Sequence, residues 1–160
     1  MPFVTPQRFI TAMGKSRDMI RLTVQDLTQA QATTARDGDD GWNVVEVMCH
    51  LRDFEKIFWE RAQAIDETDN PTLKGYDHEQ LALLNDYANQ QIDDVLADFL
   101  KTRQHFLFWL AERPDTAWDR VGTHPENGEI TLLGQAVQVA THDMDHLEQI
   151  IRILKPSARR

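Results

Sequence analysis

Near the end of the chain, apolar residues recur at alternating spacings of four and three: Leu133, Val137, Ala140, Met144, Leu147, Ile151 and Leu154. That rhythm fits the 3.6-residue turn of an α-helix and not a strand, whose faces alternate every second residue. With Leu132, Ala136 and Ile150 it makes a broad apolar face that other elements must cover. Three more long segments read as helices separated by polar breaks, and no convincing strand alternation interrupts them.

The punctuation places these segments. The first runs from about Pro6 to about Thr33, with Thr5 as its cap and Pro6 at the first position, where no amide bond is needed. The polar loop ARDGDDG ends it. The second starts after Asn43, with Glu46 three residues on in a capping box, and continues to about Ile65. Residues 66–77 are polar and too long for a tight turn, which predicts a crossover along a bundle. Asp77 caps a short helix over about 78–87, and a long third helix follows and ends before Pro114. The segment 114–130, with His124, Pro125 and Gly128, reads as irregular. Thr131 caps the fourth helix, which stops before Pro156. Four helices and one long crossover predict an all-α four-helix bundle, a single domain over residues 1–160.

Composition narrows the partners. A formal net charge of −9 argues against a large nucleic-acid footprint, which needs a basic surface. The only basic cluster is the tail, Lys155, Arg159 and Arg160, which reads as a frayed end. No apolar run approaches the roughly 20 residues that span a bilayer, so no membrane is expected. MPFVTPQRFI lacks the pattern of a signal peptide. The single Cys49 rules out an intramolecular disulfide and suits a reducing, cytoplasmic setting.

Histidines carry the chemistry. His142 and His146 are four apart, on one helix face, the spacing with which two imidazoles grip one metal ion. His50 lies at the edge of the apolar face that Val47, Leu51, Phe54, Phe58 and Ile65 define on the second helix. If it meets the pair, three nitrogens hold one side of a metal and leave the other open to water or substrate. Taken singly, each histidine is better explained as a partly buried, hydrogen-bonded side chain. Glu55 and Asp143 fall inside apolar arcs, where a carboxylate needs a partner. Each could accept an imidazole N–H and fix its tautomer, or bond a helix terminus or an indole such as that of Trp42. Gln149, three residues after His146, could reach the ligands or face solvent.

Glu46 reads as a cap, and His78 as exposed. His105 packs or bonds within the third helix, and the loop carrying His124 could fold over the bundle mouth. Trp42, Trp59, Trp109 and Trp118 read as core residues. Cys49 points about 100° away from His50 and is neither ligand nor nucleophile.

GWNVVEVMCHLRDFE resembles the tryptophan–glutamate–histidine opening of the second helix in the DinB-like superfamily of metalloenzymes. HPENGEITLLGQAVQVATHDMDHLEQI resembles that family's closing segment, a glycine loop followed by H-D-x-x-H-x-x-Q-I. The resemblance covers nearly the whole chain and places metal ligands at His50, His142 and His146. It implies an up-down-down-up bundle, frequent homodimers, and one divalent metal, often zinc or nickel. Characterised relatives are bacillithiol transferases and mycothiol-dependent maleylpyruvate isomerases, so it also implies a low-molecular-weight thiol and S-transfer to a small electrophile. Hydrolysis at the same site, or a noncatalytic metal-binding stress-response role, are the alternatives; imidazole alone accepts zinc, nickel, copper and iron alike.

Overall fold

The computed structural model describes residues 4–155. Its helices are α1 (Pro6–Val24), α2 (Gln29–Thr34), α3 (Val44–Glu67), α4 (His78–Leu84), α5 (Ile92–Ala111) and α6 (Leu132–Leu154). Two short strands, β1 (Val121–His124) and β2 (Gly128–Thr131), pair as an antiparallel hairpin. The bundle is α1, α3, α5 and α6. Arg159 and Arg160 of the basic tail lie outside the described residues.

Two apolar clusters fix the helix directions. One gathers Ile20 and Val24 of α1, Val44, Val47, Met48 and Leu51 of α3, Val95 and Phe99 of α5, and Leu147, Ile150 and Ile153 of α6. The other gathers Met13, then Phe58, Ala62 and Ile65, Phe106 and Leu110, and Leu132, Ala136 and Val139 from the same four helices. So α3 and α5 run in the same direction, while α1 and α6 run opposite to both. Ion pairs along the α3–α5 seam step forward together, Lys56 to Asp98 at 2.7 Å and Asp66 to Arg113 at 2.7 Å. This is the expected up-down-down-up bundle, with the crossover between α3 and α5 carrying the short helix α4.

Between the clusters lies a charged layer. Arg103 of α5 is fully buried. Its Nε and Nη2 donate to Glu55 of α3, both at 2.6 Å. Nη1 and Nη2 donate to Asp143 of α6 at 2.7 and 2.9 Å, and Nη1 also reaches the Met13 carbonyl of α1 at 2.9 Å. Ser16 of α1 donates its hydroxyl to Asp143. All five guanidinium N–H groups therefore have acceptors, drawn from three neighbouring helices. Burial opposes the charge on Arg103, but Glu55 and Asp143 overcome it and raise its pKa. Burial pushes Glu55 upward; Arg103 counters this and Asp143 adds to it.

Several expected boundaries shift. The first helical segment breaks at residues 25–28, because Thr28 and Gln31 form their own capping box and start α2. Thr5 occupies the cap position of α1 without a side-chain bond. Asn43 with Glu46, Asp77, and Thr131 cap their helices as read. The irregular 114–130 segment contains the hairpin, whose four-residue strands are too short for alternation to register. On α6 the buried stripe is rotated from the expected one. Asp143 lies at its centre, while Met144 and Ile151 are exposed at 48% and 44%. The ion cluster sets that rotation.

The hairpin is anchored to the crossover. Leu73 N–H donates to the Thr123 carbonyl, and Thr123 N–H to the Pro71 carbonyl, each at 2.8 Å. Gly122 sits so close to α3 that a Cβ there would meet Ile65 at 2.9 Å. β2 then runs directly into α6, whose Gly134 N–H is capped by Thr131 at 2.9 Å.

Arg103→Met should leave two buried carboxylates unpaired and cost about 3–5 kcal/mol in urea unfolding. The triple replacement Glu55→Leu, Arg103→Met, Asp143→Leu should recover most of that loss. A single variant as stable as wild type would remove the cluster from its structural role.

Candidate metal centre

α3 and α6 cross with their histidines facing each other. His50 Nε2 and His142 Nε2 lie 2.9 Å apart. The ring centroids are 4.9 Å apart for His50–His142 and 4.5 Å for each of the other two pairs. One ligating atom from each residue falls within 4.8 Å of the others, and these three form the one such group among the described residues. Tetrahedral sites with metal–nitrogen bonds of about 2.0–2.1 Å space their nitrogens about 3.3 Å apart, so small side-chain adjustments fit this group to one ion.

Aromatic rings fix the imidazoles in place. Phe54 packs on His50 at 4.3 Å and stacks on His142 at 5.5 Å. Phe58 meets His142 edge-on at 5.1 Å, and Trp42 covers His50 at 5.3 Å. His146 is oriented by hydrogen bonding: its Nδ1 lies 2.8 Å from Gln149 Oε1. Gln149 donates in turn to Asp37 at 3.0 Å, and Asp37 receives two bonds from Arg152. With Nδ1–H donated to Gln149, the His146 Nε2 lone pair is free for a cation. His50 Nδ1 is buried without a partner.

The environment keeps the rings neutral. Burial, reinforced by His146 and His142, pushes His50 down to about 2. Burial, then His146 and Arg103, pushes His142 down to about 3, and burial lowers His146 as well. Neutral imidazole is the form that ligates metals.

The centre opens into a cavity of about 630 Å³. Its rim comes from connections: Asp37 and Trp42 before α3, Tyr76 and His78 before and at the start of α4, and His124 and Glu126 at the hairpin turn. His78 is exposed as expected, yet it lines the mouth. His105 is exposed, with its ring 6.3 Å from Trp59. Trp118 is buried, and the other three tryptophans are partly buried. Cys49 is fully buried and pushed up to about 12 by burial, so it is neither ligand nor nucleophile.

Two carboxylates depart from one of the roles weighed for them. Glu55 and Asp143 bond Arg103, and neither bonds an imidazole or the Trp42 indole. Their link to the centre is through helix orientation, since Asp143 immediately follows His142. Sequence reasoning missed Arg103, although Phe99, Arg103, Phe106 and Leu110 follow the four-three rhythm and place it inside the apolar stripe of α5. It also missed Asp37, hidden among three acids of a polar loop that carries no periodicity.

Bundle and site together define a DinB-type fold, and comparison with known proteins agrees. The family model described as the DinB superfamily matches residues 12–150. The chain belongs to that superfamily. A protein of Oceanobacillus iheyensis named "Putative metal-dependent hydrolase" is 30% identical over 138 residues, 86% of this chain and 78% of its own. One of the same name from Bacillus mycoides is 31% identical over 129 residues, 79% of this chain and 72% of its own. Among solved structures, YfiT from Bacillus subtilis superposes with a TM-score of 0.86 at 22% identity, covering 98% of this chain and 89% of YfiT. YfiT is described as "a probable metal-dependent hydrolase with an unusual four-helix bundle topology". Among the described residues no helix is long and apolar enough to cross a membrane.

In the unfolded metal-free chain His50 and His142 titrate near 6.5, so below that pH the unfolded state binds more protons than the folded one. Stability should be full above about pH 6.5 and fall as the pH drops toward about 3. In urea unfolding at pH 7.5 and 5.0, wild type should lose more than His142→Gln; equal losses would contradict neutral burial of these rings.

Proposed function

We propose that His50, His142 and His146 hold one divalent metal ion, zinc or nickel, and that the chain is a metal-dependent enzyme acting on a small molecule. The convergence of the three ring nitrogens at the floor of an open cavity carries this reading. When bound, an ion held by three neutral imidazoles keeps its full +2 charge and acidifies a water or thiol presented to it. Gln149 holds the His146 tautomer, and Asp37 holds Gln149. Phe54, Phe58 and Trp42 restrict the rings and exclude water from the protein side. The three ligands come from the protein on one side only, which leaves the cavity side for substrate and favours catalysis over a closed structural site.

Hydrolysis accords with the names of the curated relatives. S-transfer to an electrophile is the finer reading; its thiol has to come from solution, since Cys49 is buried and protonated. The two reactions would differ in the nucleophile, water or a thiol, that a bound ion would acidify, and the cavity suits a small-molecule substrate. A homodimer belongs to the same reading, with exposed Met19, Met144 and Ile151 as apolar surface for it.

Elemental analysis of freshly purified protein should find one zinc or nickel per chain, lost in His142→Ala while helicity by circular dichroism persists. Gln149→Leu should retain the site but weaken metal affinity about 10–100-fold. Metal retained by His142→Ala would overturn the assignment. Zinc-loaded protein assayed on nitrophenyl esters, and on chlorodinitrobenzene with added thiols, separates hydrolysis from S-transfer.

A further inference from the structure

The far wall of the cavity contains a cation with no direct ion pair among the described residues. Arg61 lies eleven residues after His50 on α3, about three turns and about 16 Å along the axis, and so on nearly the same face. It is only 6% exposed. Its Nη2 donates to the Lys74 carbonyl at 2.7 Å, and its Nε is buried with no acceptor. The Tyr76 ring lies 5.8 Å from the guanidinium carbon. Glu79 and Glu126 also line the cavity, and neither makes an ion pair with Arg61 among the described residues; Tyr76 and Glu126 favour its charge from a distance, but burial outweighs them and lowers its pKa. A buried guanidinium with no carboxylate bonded to it is costly, in contrast to Arg103, whose every N–H is matched.

A second donor faces the same space. His124 is 7% exposed and lines the cavity. Its Nδ1 accepts the backbone N–H groups of Glu126 and Asn127 at 3.2 and 3.3 Å, in the turn of the hairpin. The ring proton of the neutral imidazole is therefore on Nε2, which makes the free edge of His124 a donor. The hairpin's anchor to the crossover at Thr72 and Thr123 holds this donor on the same side as Tyr76 and Lys74.

We propose that Arg61 and His124 bind a carboxylate of the substrate, so that the substrate is an elongated small molecule whose anionic end lies several bonds from the group presented to the three histidines. The proposal deepens the metal-centre reading and rests on it for the reacting end; the anion end stands on Arg61 and His124. A carboxylate suits a guanidinium with one edge already committed, because the remaining N–H groups can grip its two oxygens side by side.

The test compares 1,8-octanedioate with octanoate by calorimetry on zinc-loaded protein. Wild type should bind the diacid at least tenfold tighter, since only it reaches both ends. Arg61→Gln should abolish the preference while still holding one zinc per chain, and His124→Gln should narrow it. Equal affinity for the two ligands in wild type, or a preference that persists in Arg61→Gln, would overturn the proposal. If wild type takes up no zinc, the metal centre fails separately, and octanoate binding to the metal-free protein then reads the anion site alone. Loss of that binding in Arg61→Gln supports the site, and equal binding removes it. Should Arg61→Gln fail to fold, Arg61→Lys keeps the charge but not the paired edge, and the diacid preference should fall severalfold; an unchanged preference there would overturn the proposal too.

Discussion

The bundle depends on how Arg103 is neutralised. A guanidinium sealed from water between two apolar clusters is tolerable only when every donor has an acceptor and a carboxylate faces it. Here α3 supplies one carboxylate, α6 another, and α1 a carbonyl and a hydroxyl. Each bond has a direction as well as an energy, so the cluster fixes how each helix is rotated about its axis. Hydrophobic faces alone are forgiving of such rotation, because they lack direction.

That rotation places the histidines. Asp143 turned toward Arg103 puts His142 and His146 at the α3 side of α6, and Glu55 does the same for His50 on α3. The centre is thus assembled from two helices whose relative attitude is set one layer deeper in the core. Phe54 and Phe58 then lock the rings, and the Gln149–Asp37–Arg152 chain ties the end of α6 to the loop ahead of α3.

Much of this was legible in the chain. Helical rhythm, the Asn43 and Thr131 caps and the long polar crossover gave the bundle, and four-residue spacing plus face edges brought together His50, His142 and His146. What escaped depends on pairing across the fold. Asp143 and Glu55 were visible as misplaced carboxylates, but their partner sits on α5, and a helical wheel gives one helix at a time. A wheel of α6 alone therefore puts Met144 inside the apolar stripe and makes Asp143 the anomaly, whereas the buried charge defines the centre of the stripe. The hairpin was missed because four residues give too few alternations, and its stability comes from the crossover it joins. Arg61 fills the gap in the four-three rhythm of α3 between Phe58 and Ile65, as Arg103 does on α5, but only the cavity makes its isolation visible.

The division between helix-borne floor and loop-borne rim has an evolutionary consequence. Glu55, Arg103 and Asp143 can be exchanged only as a set, so drift at any one of them is penalised by the other two. Asp37 and Trp42 apart, the rim residues of the crossover and the hairpin turn take no part in that interlock. Insertions or substitutions there can re-tailor which molecule enters without disturbing the three imidazoles beneath. A lineage built on this frame is free to diversify in substrate while its interior stays fixed.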